Sequence, residues 1–260
     1  MACLERLKRF YGSKRWPWIF LMALALIGVF FFGYQILSHL INYAVSNAAC
    51  ANLRAQVKVI SAATSGPEAA GREYDPPIDM EKLSEINPDT VGWLRVGDTV
   101  IDYPVVQGAD NDYYLRRSFD GTRSDNGCLF LDVRNRSTFE DSNHLIYGHN
   151  MRNGSMFGSL DSFRKREFLE SHAEIEFFGI YEGFNLVPFA IYVAESTGDY
   201  LLCEFASGQM FEAWIDAALA KSELSLNLRP EAGQRVMTLV SCITGASGLR
   251  IVMHLIMEPQ

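Results

Sequence analysis

Residues 16–37 run without a charge: 18 of these 22 are hydrophobic, and only Pro17, Gly28, Gly33 and Gln35 interrupt them. At a helical rise of about 1.5 Å per residue the segment extends about 33 Å, enough for a hydrocarbon core of about 30 Å. A helix satisfies its own backbone hydrogen bonds, as a segment inside a bilayer must. The stretch therefore reads as a membrane-spanning helix. The other reading of an apolar N-terminal run is a cleaved signal peptide, whose apolar core is normally about 7 to 15 residues with a small-residue cleavage site close behind. Here Ala48, Ala49 and Cys50 lie well beyond the span, and Asn47 spoils the apolar start of a lipoprotein-type cleavage box. We read an uncleaved anchor.

The flanks set its direction. Residues 1–15 carry Arg6, Lys8, Arg9, Lys14 and Arg15 against Glu5 alone, and positive charge stays on the cytoplasmic side. The N-terminus is expected in the cytoplasm and the 223 residues after Leu37 outside, a single-pass protein of the cell membrane. The formal charge of −8 divides accordingly, with eighteen basic against thirty acidic residues beyond the span. Such an acidic exterior excludes a nucleic-acid partner, which needs a basic face to displace phosphate counterions.

Residues 38–77 continue the helical rhythm as far as about 61 and then become small, polar and rich in Pro and Gly, a juxtamembrane helix followed by a linker. A folded domain is expected over residues 78–260. Short β-rich runs at 91–96, 100–106, 127–133, 144–147, 173–180, 186–195, 235–242 and 249–257 are separated by turn clusters. Helical patterns at 79–86, 155–170 and 208–220, with a short turn at 111–115, do not alternate regularly with them. The pattern predicts a mainly β fold: an eight-stranded, closed antiparallel barrel with inserted helices.

Four cysteines lie beyond the span. Cys128 and Cys203 sit in apolar runs and read as inert core thiols. Cys242 instead ends the run Val236-Met237-Thr238-Leu239-Val240-Ser241-Cys242 and precedes a small, flexible loop, where a thiol can meet a substrate. His144 and His149 are separated by an odd offset and fall on opposite faces of a strand, a poor metal pair; no cofactor or metal site is read from the sequence. His172, in a polar turn, reads as solvent-exposed. His149 ends its strand in Gly148-His149-Asn150-Met151 and could lower the Cys242 thiol pKa to make a thiolate. Arg250 interrupts the apolar run after the loop, a fixed fork of donors suited to an oxyanion or a carbonyl.

Taken together, Tyr147-Gly148-His149-Asn150-Met151 with Gly154-Ser155-Met156-Phe157, and Thr238-Leu239-Val240-Ser241-Cys242 with Arg250 eight residues on, resemble the sortases, specifically class B. Further family-like blocks are Ile86-Asn87-Pro88-Asp89-Thr90-Val91-Gly92-Trp93, Ile101-Asp102-Tyr103-Pro104-Val105-Val106-Gln107 and Ser118-Phe119-Asp120-Gly121. The resemblance covers about residues 78–257. It implies a sortase-type barrel carrying a cysteine transpeptidase, with Cys242 as nucleophile, His149 as general acid and base, and Arg250 holding substrate and oxyanion. The substrate would be a surface protein bearing a C-terminal sorting signal, cleaved after Thr and passed through a thioacyl enzyme to an amine from a peptidoglycan precursor or a pilin. The helical pattern at 208–220 lies where class B enzymes carry a helix between the sixth and seventh strands. Asn111, Leu115, Tyr200, Leu201 and Ser241 match groove positions. The sequence departs from the family at Val240-Ser241, where Ser-Thr is common. A Cys-His peptidase that hydrolyses, and a tethered binding domain, are the competing readings.

Overall fold

The computed structural model describes residues 16–57, 74, 76–242 and 248–260, with His39 and Cys242 described through their backbone alone. The juxtamembrane–linker boundary read near residue 61 lies outside them. Helix α1, Trp16–Val57, is one continuous helix of 42 residues. It holds an 18-residue window of mean hydropathy 2.2 with none of it buried, so it is long and apolar enough to cross a membrane.

The chain divides into two compact units, residues 1–45 and 46–260. The last turns of α1 thus belong to the same unit as the barrel, whereas the sequence pattern starts the folded domain at 78. The reason is local. Val57 is fully buried in a cluster with Trp93, Tyr114 and Phe119, Arg54 Nε donates to Asp102 O at 2.6 Å, and the Arg54 guanidinium lies 4.7 Å over the Tyr103 ring. These side chains resemble any amphipathic helix in sequence; what they pack on is set by the barrel.

Helix α2, Met80–Ile86, is capped by Asp79, whose carboxylate accepts from Lys82 N–H at 2.9 Å. The strands follow: β1 Thr90–Val96, β2 Asp102–Val106, β3 Leu129–Leu131, β4 Asn143–Gly148, β5 Ile175–Gly179, β6 Gly183–Glu195, β7 Val236–Cys242 and β8 Leu249–Pro259. They close in the order β1-β2-β3-β4-β7-β8-β6-β5. Alternation sorts each strand between two cores. On β7, Met237 and Leu239 enter the barrel with Ile146 and Met253, while Val236 and Val240 face outward with Val252 and Ile256. Helix α4, Gly208–Lys221, covers that outer layer with Phe211, Trp214, Ile215 and Ala218, a stripe at helical spacing.

Two expectations change. The barrel is mixed, because β2 pairs with β3 and β4 with β7 in parallel; parallel neighbours need long crossovers, and the 107–128 and 149–235 segments supply them. The pattern at 155–170 is not one helix but a 3₁₀ turn, Leu160–Arg164, followed by α3, Arg166–Ser171. Met156 has φ of 54°, outside helical space, and Lys165 is extended between the two pieces.

Candidate active site

Strand register decides which side chains can meet. In the parallel β4–β7 pair Gly148 lies beside Ser241, so the residues that follow, His149 and Cys242, leave neighbouring strand ends about 4.8 Å apart. In the antiparallel β7–β8 pair Cys242 lies directly opposite Arg250, a register in which two positions share one face of the sheet. The ends of three strands therefore converge through backbone hydrogen bonding. The Cys242 side chain lies outside the described residues.

Gly148 is required by packing. A Cβ there would sit 2.4 Å from Leu129 Cδ2 and 2.6 Å from the Phe157 ring. Gly127, at φ +63°, lets the Tyr114-Leu115 backbone come close, since its Cβ would meet Tyr114 O at 2.7 Å and His149 Cδ2 at 3.1 Å. Leu115 sits in the 3₁₀ turn Tyr113–Arg116, and its carbonyl oxygen is 2.6 Å from His149 Nε2. A carbonyl only accepts, so Nε2 carries the proton and donates; in the neutral ring the lone pair is on Nδ1. The backbone carbonyl thus orients the imidazole, the role a carboxylate or amide plays in other Cys-His sites.

His149 lines a cleft of about 280 Å³ on the outer face of the barrel, together with Arg250, Ser241, Asn111, Leu115, Tyr200 and Leu201. The expected groove positions are brought together there. Their side chains differ in what already holds them. Asn111 Oδ1 accepts from Val133 N–H at 2.9 Å, Tyr200 OH donates to Glu195 O at 3.1 Å, and Ser241 Oγ donates to Gly148 O at 3.0 Å, tying the ends of β4 and β7 together. Leu115 and Leu201 are half-buried and present apolar surface. Arg250 donates from Nη1 to Leu249 O at 3.0 Å; among the described residues no carboxylate pairs with it, which leaves donors for a ligand.

Phe130, Tyr147, Ser196 and Val240 line the cleft as well, beyond the groove positions expected from the sequence. Tyr147 is the informative one. Its ring stacks on Phe130 with centroids 5.2 Å apart, and its hydroxyl donates to Asp132 Oδ2 at 2.9 Å. Burial works to raise the Asp132 carboxyl, yet hydrogen bonds from Arg134 and Tyr147 prevail and hold it below its ordinary value. Period-2 alternation from His149 back along β4 was the signal for Tyr147; Ser196 follows β6 and carried none.

His144, His172, His254, Cys128 and Cys203 lie elsewhere. Cys128 and Cys203 are buried and free, the Cys203 thiol pushed up to about 11 by burial. His172 is half-buried rather than exposed, stacked 3.9 Å from the Phe168 ring. His144 faces the barrel interior against Phe139, accepting from Asp141 N–H at 3.1 Å and donating to Val236 O at 3.2 Å. Burial pushes His144 down to about 4 and His254, on the outer layer, down to about 3. Unfolded imidazole titrates near about 6.5, so below that pH the unfolded chain binds protons the folded one refuses. The stability these two sites contribute is complete above about 6.5 and is lost as pH falls toward the folded values. Unfolding at pH 5 is expected to take up about two protons, read from the slope of the urea midpoint against pH; a flat midpoint through that region would contradict it.

No family model matches the chain. Comparison with known proteins finds similarity to sortase B of Listeria monocytogenes, 31% identical over 240 residues that make up 92% of each chain. Sortase B of Staphylococcus aureus is 32% identical over 163 residues, 63% of this chain and 67% of that one. Among solved structures, a Staphylococcus aureus sortase B–substrate complex superposes with a TM-score of 0.75 at 27% identity, over 84% of this chain and 99% of that one. Bacillus anthracis sortase B in complex with AAEK1 gives 0.73 at 29% identity, over 85% and 100%.

Proposed function

Because the chain belongs to the class B sortases, which are cysteine transpeptidases, we propose that the outer-face cleft cuts a C-terminal sorting signal after Thr and joins the protein to an amine. The observation that most supports this reading is the register of β4, β7 and β8, which gathers the ends carrying His149, Cys242 and Arg250 at one cleft. A thiolate at Cys242 attacks the Thr carbonyl carbon, and the carbonyl electron pair moves onto oxygen, where the Arg250 guanidinium meets the charge. Collapse of the tetrahedral intermediate breaks the C–N bond. His149, protonated at Nδ1, gives that proton to the departing amine and leaves a thioester on Cys242. An incoming amine then adds to the thioester carbonyl, His149 takes its proton, and the C–S bond breaks to return the thiolate.

The apolar part of α1 would hold the enzyme in the membrane, with the basic 1–15 segment inside and the cleft outside. Sorting-signal proteins and an amine acceptor, from a peptidoglycan precursor or a pilin, would be met there. The Staphylococcus aureus relative has been captured with substrate, which supports a peptide in the corresponding groove of this chain.

Hydrolysis and ligation share the acylation half. They part at the thioester, so the test is partitioning: with a sorting peptide and increasing oligoglycine or lysine-bearing amine, product is expected to shift from acid to amide by mass spectrometry. Acid alone, across amines of both kinds, would favour the peptidase.

A further inference from the structure

Below the Cys242–Arg250 rung, the outer face of the β7–β8 ladder is apolar at Val240–Val252 and then polar at Thr238–His254. That polar rung is wholly buried in a layer of apolar side chains, with Phe189 stacked on the imidazole at 5.7 Å and Trp214 meeting it edge-on at 5.0 Å. It does not end at the rung. Asn143 Nδ2 donates to Leu202 O at 2.7 Å and Tyr200 O at 3.3 Å, and its backbone N–H to Cys203 O at 3.0 Å.

The direction of every bond follows from those carbonyls. They only accept, so the Asn143 amide nitrogen faces them and its oxygen must receive; Thr238 Oγ1, 2.6 Å away, donates to it. Thr238 then accepts from His254 Nδ1–H at 2.7 Å, which leaves Nε2 to accept from Tyr192 OH at 2.9 Å. The chain is satisfied throughout with a neutral imidazole, the form burial enforces. Buried polar chains of this kind are expensive unless complete, and an apolar set of like volume is often as stable. Stability does not account for it. Its terminus does: the carbonyls it grips flank Leu201, and Tyr200 and Leu201 form a wall of the cleft.

We propose that Asn143, Thr238 and His254 are positioning residues for substrate selection, fixing the Tyr200–Leu202 wall to β4 and β7 so that the groove keeps one shape. The inference rests on the cleft being the sorting-peptide groove. It separates selection from chemistry: loosening the wall alters which peptide is read while the nucleophile is untouched.

Thr238→Val in the full chain keeps the volume and removes the hydroxyl. Expected results are a fall of about tenfold in kcat/KM for the preferred peptide, carried mainly by KM, and reduced discrimination against peptides altered beside the Thr. Labelling of Cys242 by a small thiol reagent should stay at the wild-type rate, and Thr238→Ser should restore selection. Should Thr238→Val fold poorly, the double variant Thr238→Val, His254→Leu removes both halves of the rung and should show the same loss of discrimination, with circular dichroism confirming the fold. Unchanged discrimination in a folded variant overturns the proposal, as does loss of Cys242 labelling together with cleavage. A wild-type chain that labels rapidly at Cys242 yet cleaves no sorting peptide overturns the groove reading and this inference with it.

Discussion

Cys242→Ala is expected to lower cleavage of a sorting-signal peptide by about 10⁴-fold or more, to the level of the uncatalysed reaction in the cleft. In the proposed mechanism alanine removes the only atom that bonds to the acyl group, so neither the thioester nor the amide would form through the enzyme. Cys242 ends β7 opposite Arg250, and replacement at a strand end should leave the buried Val236–Val240 part of β7 in place. Cys128→Ala and Cys203→Ala make the comparison decisive. Both thiols are buried and free, burial raises both pKa values, and neither lines the cleft; those variants should keep near-wild-type rates. Cleavage of a quenched fluorescent peptide reports the result, with circular dichroism confirming the fold. Activity retained in Cys242→Ala, or lost equally in Cys203→Ala, would remove Cys242 from the nucleophile's place.

What the sequence made legible follows from the range of the interactions involved. Strands such as residues 91–96 and 235–242 are local patterns of apolar alternation, and they emerge within a residue or so as β1 and β7. Tyr147-Gly148-His149 was equally visible as a motif, but its reason was not: Gly148 is small because Leu129 and Phe157 press on it from another strand and a loop. The parallel β4–β7 pairing joins residues about ninety apart, and no local period encodes partner choice. Arg54 and Val57 look like surface helix until Asp102 and Trp93 are placed beside them. His254 has no signature whatever, since an imidazole in an apolar run reads as an irregularity until Thr238 is set opposite. Pairwise long-range facts, rather than composition, were missing.

His149→Ala carries the second large effect, an expected fall in kcat of about 10² to 10⁴ with KM little changed. In the proposed mechanism two transfers depend on one ring: a proton to the departing amine, then a proton from the entering one. With Nε2–H held on Leu115 O at 2.6 Å, the proton that moves is on Nδ1, and the ring cannot swing away without breaking the bond to the 3₁₀ turn. Two departures from simple loss are therefore expected in His149→Ala. An activated ester or thioester substrate, whose leaving group needs little protonation, should retain more of its rate than a peptide. Imidazole added to the buffer should restore part of the peptide rate if it can occupy the space the ring vacates beside Gly127 and Leu115. A loss of equal size for ester and peptide would place His149 with the substrate-binding residues and leave proton transfer to another group.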